Sequence, residues 1–162
     1  MKKKKTLKER LQNSIKEVKE KVYVDFLGIE KRIHTNVYCC LDKYATAFKT
    51  SHDLLMVSIF VRNKSIYIAL MQGNVVLKKL SVQELVHLFV SENENKLFNV
   101  EPKVRKGMLD FNEHLASSHR LPADELIFHI ASTTEKKASL TMYHLQKKQG
   151  EVPLKELIGF FR

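Results

Sequence analysis

The chain has 162 residues, of which 44% are hydrophobic and 28% charged, and it carries a formal net charge of +10. This length and composition are typical of one globular domain, and only 5 Gly and 3 Pro leave too few turn residues for a many-stranded sandwich. No apolar run approaches the roughly 18 residues that a transmembrane helix requires. The two adjacent cysteines, Cys39 and Cys40, form no disulfide framework, which predicts a reducing, cytoplasmic compartment.

The positive charge is concentrated at the start of the chain. Residues 1–52 hold 13 basic and 6 acidic side chains, whereas residues 53–102 hold 5 of each. Such a basic segment attracts polyanions: nucleic acid, an anionic membrane surface or an acidic protein. A solvated face that only keeps the protein soluble is the alternative interpretation of the same charge.

The first predicted element is a basic arm followed by an amphipathic helix, together spanning residues 1–28. Thr6 and Glu9 have the spacing of a capping box, which typically begins a helix. An apolar stripe follows at helical spacing: Leu7, Leu11, Ile15, Val18 and Val22. The stripe predicts a helix that docks on the protein's own core or on a partner. Because the stripe lacks large aromatic side chains, peripheral contact with a membrane is not expected.

A second helix is predicted over residues 29–49, where apolar side chains again recur at helical spacing. Cys40 lies beside this stripe and is interpreted as a small buried hydrophobe. His34, six residues earlier, would lie on another face of the helix. The sequence therefore predicts no base beside this thiol and no cysteine nucleophile.

The next stretch predicts a β-meander with strands at residues 54–61, 66–71 and 75–80. A polar turn at residues 62–64 and a tight turn at residues 73–74 separate these strands. Both faces of the first hairpin are apolar, so we expect either a second covering layer or a protein interface. The predicted interface residues are Met56, Phe60, Tyr67 and Met71.

The rest of the chain predicts a similar order of elements. Ser81 and Glu84 have capping-box spacing and begin a helix that runs to residue 90. A polar connection covers residues 93–102. A helix, two strands and a closing helix are then predicted at residues 103–121, 125–131, 138–145 and 154–161.

A shift of 72 residues aligns the two halves and pairs Leu54 with Leu126 and Phe89 with Phe161. The sequence therefore predicts an α+β fold of two α-β-β-(β)-α units, at residues 29–92 and 103–162, in which an antiparallel sheet packs with helices. A pseudo-twofold internal repeat is one interpretation of this pattern. The order α-β-β-β-α also resembles that of double-stranded RNA-binding domains, but their basic helix start is absent at residues 81–84.

The sequence shows no catalytic or metal-binding motif. Its 7 His form no HExxH pair, no Cys-x-x-Cys set accompanies them, and no glycine-rich phosphate loop is present. We therefore expect no enzymatic activity, no metal and no cofactor.

Two functions are compatible with this pattern. The first is a non-enzymatic nucleic-acid-binding protein, whose basic side chains contact the phosphates of DNA or RNA. The predicted contacts are Lys2, Lys3, Lys4, Lys5, Lys8, Arg10, Lys16, Lys19, Arg62, Lys64, Lys136 and Lys137. The second is a protein adaptor, chaperone-like or assembly module that binds another protein or a second copy of itself through the apolar hairpin face and the N-terminal helix. In its order of elements the chain resembles small dimeric secretion chaperones, which implies a protein-binding role, although those chaperones are usually acidic.

Overall fold

The computed structural model describes residues 32–89, 100–133 and 137–161. The helices in this part of the chain are α1 (residues 32–47), α2 (Val82–Phe89), α3 (Val100–His119) and α4 (Leu154–Gly159). The strands are β1 (Leu55–Arg62), β2 (Ser65–Gln72), β3 (Val75–Leu80), β4 (Leu126–Ser132), β5 (Ala138–His144) and β6 (Lys147–Val152). Short 3₁₀ helices at His52–Leu54 and Ala123–Glu125 precede β1 and β4. The predicted arm and helix at residues 1–28 lie outside the described residues.

The fold is α+β, as the sequence predicts, with one antiparallel sheet and four helices in the described part of the chain. The strand order is β3-β2-β1-β4-β5-β6. The two meanders meet at the centre, where β1 pairs antiparallel with β4 and Ser58 lies opposite His129. Strands β3 and β6 therefore form the two edges of the sheet.

The first hairpin has the register that the sequence predicts. Asn63 and Lys64 both have positive φ, at 50° and 61°, as a two-residue turn of type I′ requires. This turn places Phe60 opposite Tyr67, and successive side chains then alternate between the two faces of the sheet. Gly73, with a φ of 58°, begins the tight turn between β2 and β3.

Strand β6 is an element that the sequence pattern does not predict. Its segment has no alternation of apolar residues and contains Gly150. The strand forms because Leu145 and Gln146 make a tight turn, with φ of 47° and 69°, that returns the chain antiparallel to β5. The second half therefore has three strands where the sequence analysis expected two.

The helices pack on one face of the sheet, which holds the core. Phe128 on β4 is fully buried there, and its ring lies 5.2 Å from the ring of Phe111 on α3. Phe111 also contacts Phe160, which follows α4, at a ring distance of 5.6 Å. Phe89 on α2 meets Phe161 with ring centroids 5.5 Å apart. Burial of each such ring stabilises the fold by about 1.5–3 kcal/mol, so these contacts hold α2, α3 and α4 on the sheet.

Helix α1 makes polar contacts with both the helical layer and the sheet. The side-chain amide of Asn36 donates a hydrogen bond to the Phe89 carbonyl oxygen at 2.9 Å. The backbone N–H of Ala138 donates to His34 Nδ1 at 2.8 Å, which satisfies the first residue of β5. Together these bonds hold α1 against the end of α2 and the start of β5.

The predicted capping box at the start of α2 is confirmed and extends into a network. Glu84 N–H donates to Ser81 Oγ at 3.1 Å, and Ser81 N–H donates to Glu84 Oε1 at 3.2 Å. Glu84 Oε2 accepts the Tyr44 hydroxyl at 3.2 Å and pairs with Lys78 Nζ at 3.0 Å. Burial would raise the pKa of Glu84, but its hydrogen bonds and the Lys78 charge lower that pKa overall. One carboxylate thus links α1, β3 and α2.

Glu84→Gln is expected to lower the free energy of unfolding by about 1–2 kcal/mol at pH 7, because it removes an ion pair and weakens the cap. The pKa of Glu84 in the folded state lies below its unfolded value of 4.5. The carboxylate therefore stabilises the fold above that unfolded value, and this contribution is lost as pH falls through the folded pKa. Urea denaturation should show a smaller effect at pH 3.5 than at pH 7. The exposed Glu156→Gln is the control, and an equal effect of Glu84→Gln at both pH values would contradict the network.

Candidate functional site

The sheet has a second face on the side away from the described helices, which we call the far face. Strand register arranges its side chains in three rows that cross the sheet. The aromatic row contains Tyr67, Phe60, Ile127, Tyr143 and Lys148. The middle row contains Lys79, Ala69, Ser58, His129, Thr141 and Glu151. The aliphatic row contains Val76, Met71, Met56, Ala131 and Ser139.

The aromatic row presents flat rings on three strands. Phe60 and Tyr67 stack across β1 and β2, with centroids 5.0 Å apart and planes inclined by 13°. Tyr67 is 49% exposed, although an aromatic ring gains by burial. Tyr143, two strands from Phe60, contacts the ring of His129 at 4.6 Å. The aromatic surface of the row is therefore most accessible at Tyr67, whereas Tyr143 is half-buried.

Cations lie beside these rings. The guanidinium carbon of Arg62 is 5.1 Å from the centroid of Phe60, which is a cation–π contact worth about 0.5–1 kcal/mol at an exposed site. Lys148 lies directly opposite Tyr143, and Lys79 lies on the edge strand β3. The far face thus carries three cations in its described part, against one carboxylate, that of Glu151 on the edge strand β6.

His129 at the centre of the far face adds ring surface without charge. Burial lowers its pKa from the ordinary value of 6.5, so the imidazole is neutral at pH 7. Its neighbour across the central strand pair is Ser58, which is buried. The middle of the face is consequently uncharged, and its cations lie towards the edges and one end.

The structure brings the four predicted protein-interface residues together on the far face. Met56 lies opposite Met71 in the aliphatic row, and Phe60 lies opposite Tyr67 in the aromatic row. This placement follows from the type I′ turn, because a shift of one residue in β2 would have moved Tyr67 and Met71 to the core face.

The predicted phosphate contacts are not all brought together. Arg62 and Lys64 lie at the β1–β2 turn. Lys137 precedes β5 and lies at the opposite end of the sheet, since β4 runs antiparallel to β1. Arg62 and Lys64 are therefore separated from Lys137 by the length of the sheet. Lys136 lies outside the described residues, as do Lys2, Lys3, Lys4, Lys5, Lys8, Arg10, Lys16 and Lys19.

A different group of cations meets at the β1–β2 end of the sheet. Because Ile127 lies opposite both Phe60 and Tyr143, the β5–β6 turn lies at that same end. Lys147 and Lys148 follow this turn, so they lie at the same end of the sheet as Arg62 and Lys64. All four side chains are exposed. The nearby 3₁₀ helix Ala123–Glu125 supplies two carboxylates, of which Glu125 pairs with His144 at 3.3 Å.

Sequence reasoning missed Tyr143 and His129 as site residues, and it did not place Lys148 on the same face as them. Tyr143 and His129 occupy alternate positions of strands that the sequence predicts, so their shared face could have been read from the period of two. Lys148 could not, because it lies on the unpredicted strand β6.

Two further observations concern metal binding and the reactivity of Cys40 in the described residues. They contain no group of three or more His, Cys, Asp or Glu side chains that could hold a metal ion. Burial raises the pKa of the Cys40 thiol to about 11, so this thiol is protonated and a poor nucleophile at pH 7. In the same part of the chain, no helix is both long and apolar enough to cross a membrane.

Comparison of the chain with protein-family models, with curated proteins and with solved structures gives no match. The proposals below therefore rest on the geometry of the far face.

Proposed function

We propose that the protein binds nucleic acid without catalysing a reaction, through phosphate contacts at the β1–β2 end of its sheet. The supporting observation is that Arg62, Lys64, Lys147 and Lys148 lie at one end, next to an aromatic row. Phosphate binding needs only such charges, and a net charge of +10 attracts polyanions over longer distances. Cytoplasmic location is part of the proposal and is supported by cysteines that form no disulfide.

The test is binding of the full chain to labelled single-stranded and duplex oligonucleotides over a series of salt concentrations. Each phosphate contact changes the slope of log K against log[salt] by about 0.7–0.9. The triple variant Arg62→Glu, Lys64→Glu, Lys148→Glu is therefore expected to reduce that slope by about 2–3. Affinity at low salt should fall at least about tenfold, since each lost contact weakens binding to all sequences.

The matched control carries the same change in net charge on the helical side of the molecule: Lys103→Glu, Lys106→Glu and Lys155→Glu. It should weaken binding only through the overall charge and leave the slope nearly unchanged. If the two triple variants changed the affinity and the salt slope equally, the far face would not be the binding site. Removal of residues 1–21 measures how much the basic arm contributes to the affinity. The phosphate contacts of that arm stay a prediction.

A protein-binding role is the second candidate, and the aliphatic row favours it. Met56, Met71 and Val76 form a continuous apolar strip, and Val76 is 53% exposed. Such a strip suits an apolar partner or a second copy. Light scattering that shows a dimer, together with no affinity for any oligonucleotide, would favour this role over the first.

We also propose that the two halves are copies of one α-β-β-β-α unit. Equivalent irregularities support this: the register shifts lie at Leu70/Met71 and at Met142/Tyr143, 72 positions apart. Helices α1 and α3 are each followed by a residue with positive φ, Lys49 and Arg120, 71 positions apart. The favoured offset is thus 71 for the helix and first strand and 72 from the second strand onward, rather than 72 throughout.

With these offsets, each position of the aromatic row corresponds to a position of the aliphatic row, but the side chains at the paired positions differ. The counterpart of Phe60 is Ala131, and the counterpart of Tyr143 is Met71. The fold accepts small or aliphatic residues at these positions of the far face, so packing alone does not demand aromatic rings there. This difference supports a binding role for the aromatic row in particular.

A further inference from the structure

The aromatic row has the spacing of a platform for separated bases. Neighbouring strands are about 4.8 Å apart, so Phe60 and Tyr143, on strands two places apart, lie about 10 Å from each other. A duplex keeps its successive bases about 3.4 Å apart, so the flat faces of each base are covered by its stacked neighbours. Only unstacked bases, with their faces free, can lie on both rings at once.

Each end of the row combines a ring with a cation. Arg62 lies over Phe60, beside the stacked Tyr67, and Lys148 lies opposite Tyr143. Bases stack on aromatic side chains while neighbouring cations hold the phosphates, and this pairing is what single-strand binding surfaces use. The neutral ring of His129 extends the apolar surface between the two ends.

From this arrangement we infer that the ligand of the far face is single-stranded nucleic acid, which crosses the strands along the aromatic row. Its bases stack on the Phe60–Tyr67 pair and on Tyr143, and its phosphates contact Arg62 and Lys148. The inference rests on the proposed nucleic-acid binding and specifies the form of the ligand.

Charge favours this ligand over a second copy of the chain. A two-fold contact between far faces would bring the cations Arg62, Lys79 and Lys148 of both copies to one interface. Among the described residues of that face, Glu151 is the one carboxylate of each copy that would offset them. Like charges opposite each other cost free energy and select against such a pairing. A polyanion neutralises the same charges.

The experiment compares binding of the full chain to three probes of about 20 nucleotides. This length exceeds the stretch that one single-strand-binding domain contacts. The probes are an oligothymidylate, a duplex and an abasic strand. Tyr67→Leu and Tyr143→Leu are each expected to weaken oligothymidylate binding by about 5- to 150-fold, which corresponds to the stacking of one base. Their affinities for the duplex and the abasic strand should not change.

Met56→Leu and Met71→Leu are the matched controls, since they lie on the same face outside the aromatic row and conserve volume. Circular dichroism and urea midpoints establish that each variant is folded. Tyr67 is half exposed, so its replacement keeps the test valid even if Tyr143→Leu unfolds.

The outcomes separate this inference from the proposed function. Equal affinity for all three probes, unchanged in the tyrosine variants but weakened by Arg62→Glu, Lys64→Glu, Lys148→Glu, would overturn the stacking platform and keep nucleic-acid binding. No affinity for any probe would overturn both. A dimer that Tyr67→Leu dissociates, without oligonucleotide binding, would assign the far face to a contact between copies and overturn both as well.

Discussion

Gly107→Ala is expected to lower the free energy of unfolding by about 3 kcal/mol, although alanine is the better helix former. A Cβ at this position of α3 would collide with the carbonyl oxygen of Phe160 and approach Phe161 Cδ1 to 2.7 Å. The carbonyl is part of the backbone that follows α4, so it cannot rotate away as the end of a flexible side chain would. Helix α4 would have to move off α3 together with both rings. The gain in helix propensity, about 1 kcal/mol, offsets only part of this cost.

Gly159→Ala provides the matched control within α4. A Cβ at Gly159 meets nothing within 4 Å, so this substitution should leave stability unchanged or raise it by up to about 1 kcal/mol. Urea denaturation followed by circular dichroism compares the two variants. If Gly107→Ala were as stable as the parent chain, the close approach of α3 and α4 would be wrong.

The sequence predicts the elements of the fold wherever a signal is local. The Ser81–Glu84 spacing predicts the start of α2, and hydrogen bonds in both directions confirm it. The alternation in residues 54–71 predicts which side chains share a face of the first hairpin. Both signals depend on neighbours only a few positions away, so one sequence is enough to read them.

Other parts of the fold depend on contacts that no local pattern encodes. The pairing of β1 with β4 joins Ser58 to His129 across the two halves, and either hairpin could have been joined at another edge. Gly107 carries no signal either, because its importance lies in the approach of Phe160 from the far end of the chain. Strand β6 forms on the edge of β5 despite a polar sequence, since tertiary pairing overrides propensity.

The candidate site was predictable only in part for the same reason. The first hairpin predicts Arg62 as a phosphate contact and Phe60 as a protein-interface residue. The structure places the guanidinium of Arg62 over the ring of Phe60. Arg62 and Lys137 are both predicted phosphate contacts, but they lie at opposite ends of the sheet because the central strands are antiparallel. Tyr143 reaches the aromatic row only through β4, which lies between β1 and β5. Charge and composition predict only a polyanionic ligand, and the topology determines which residues share the far face.

Phe111→Ala is expected to cost about 3–5 kcal/mol of unfolding free energy, the range for loss of a buried aromatic side chain. Phe111 is fully buried at the middle of α3 and contacts the rings of Phe128 and Phe160 at 5.2 and 5.6 Å. Its removal leaves a cavity between the sheet, α3 and the end of α4. Phe111→Leu should cost less, because leucine fills most of that space.

A double-mutant cycle isolates the ring contact itself. The combined variant Phe111→Ala, Phe128→Ala should be less destabilised than the sum of the single variants by about 0.5–1.5 kcal/mol, the coupling of an aromatic pair. Strict additivity would contradict direct contact between the rings. Because Phe128 and Phe111 lie on the core side of the sheet, the folded Phe111→Leu variant should bind oligothymidylate as the parent chain does. A loss of affinity in that variant would mean that binding depends on the helical layer, and not on the far face alone.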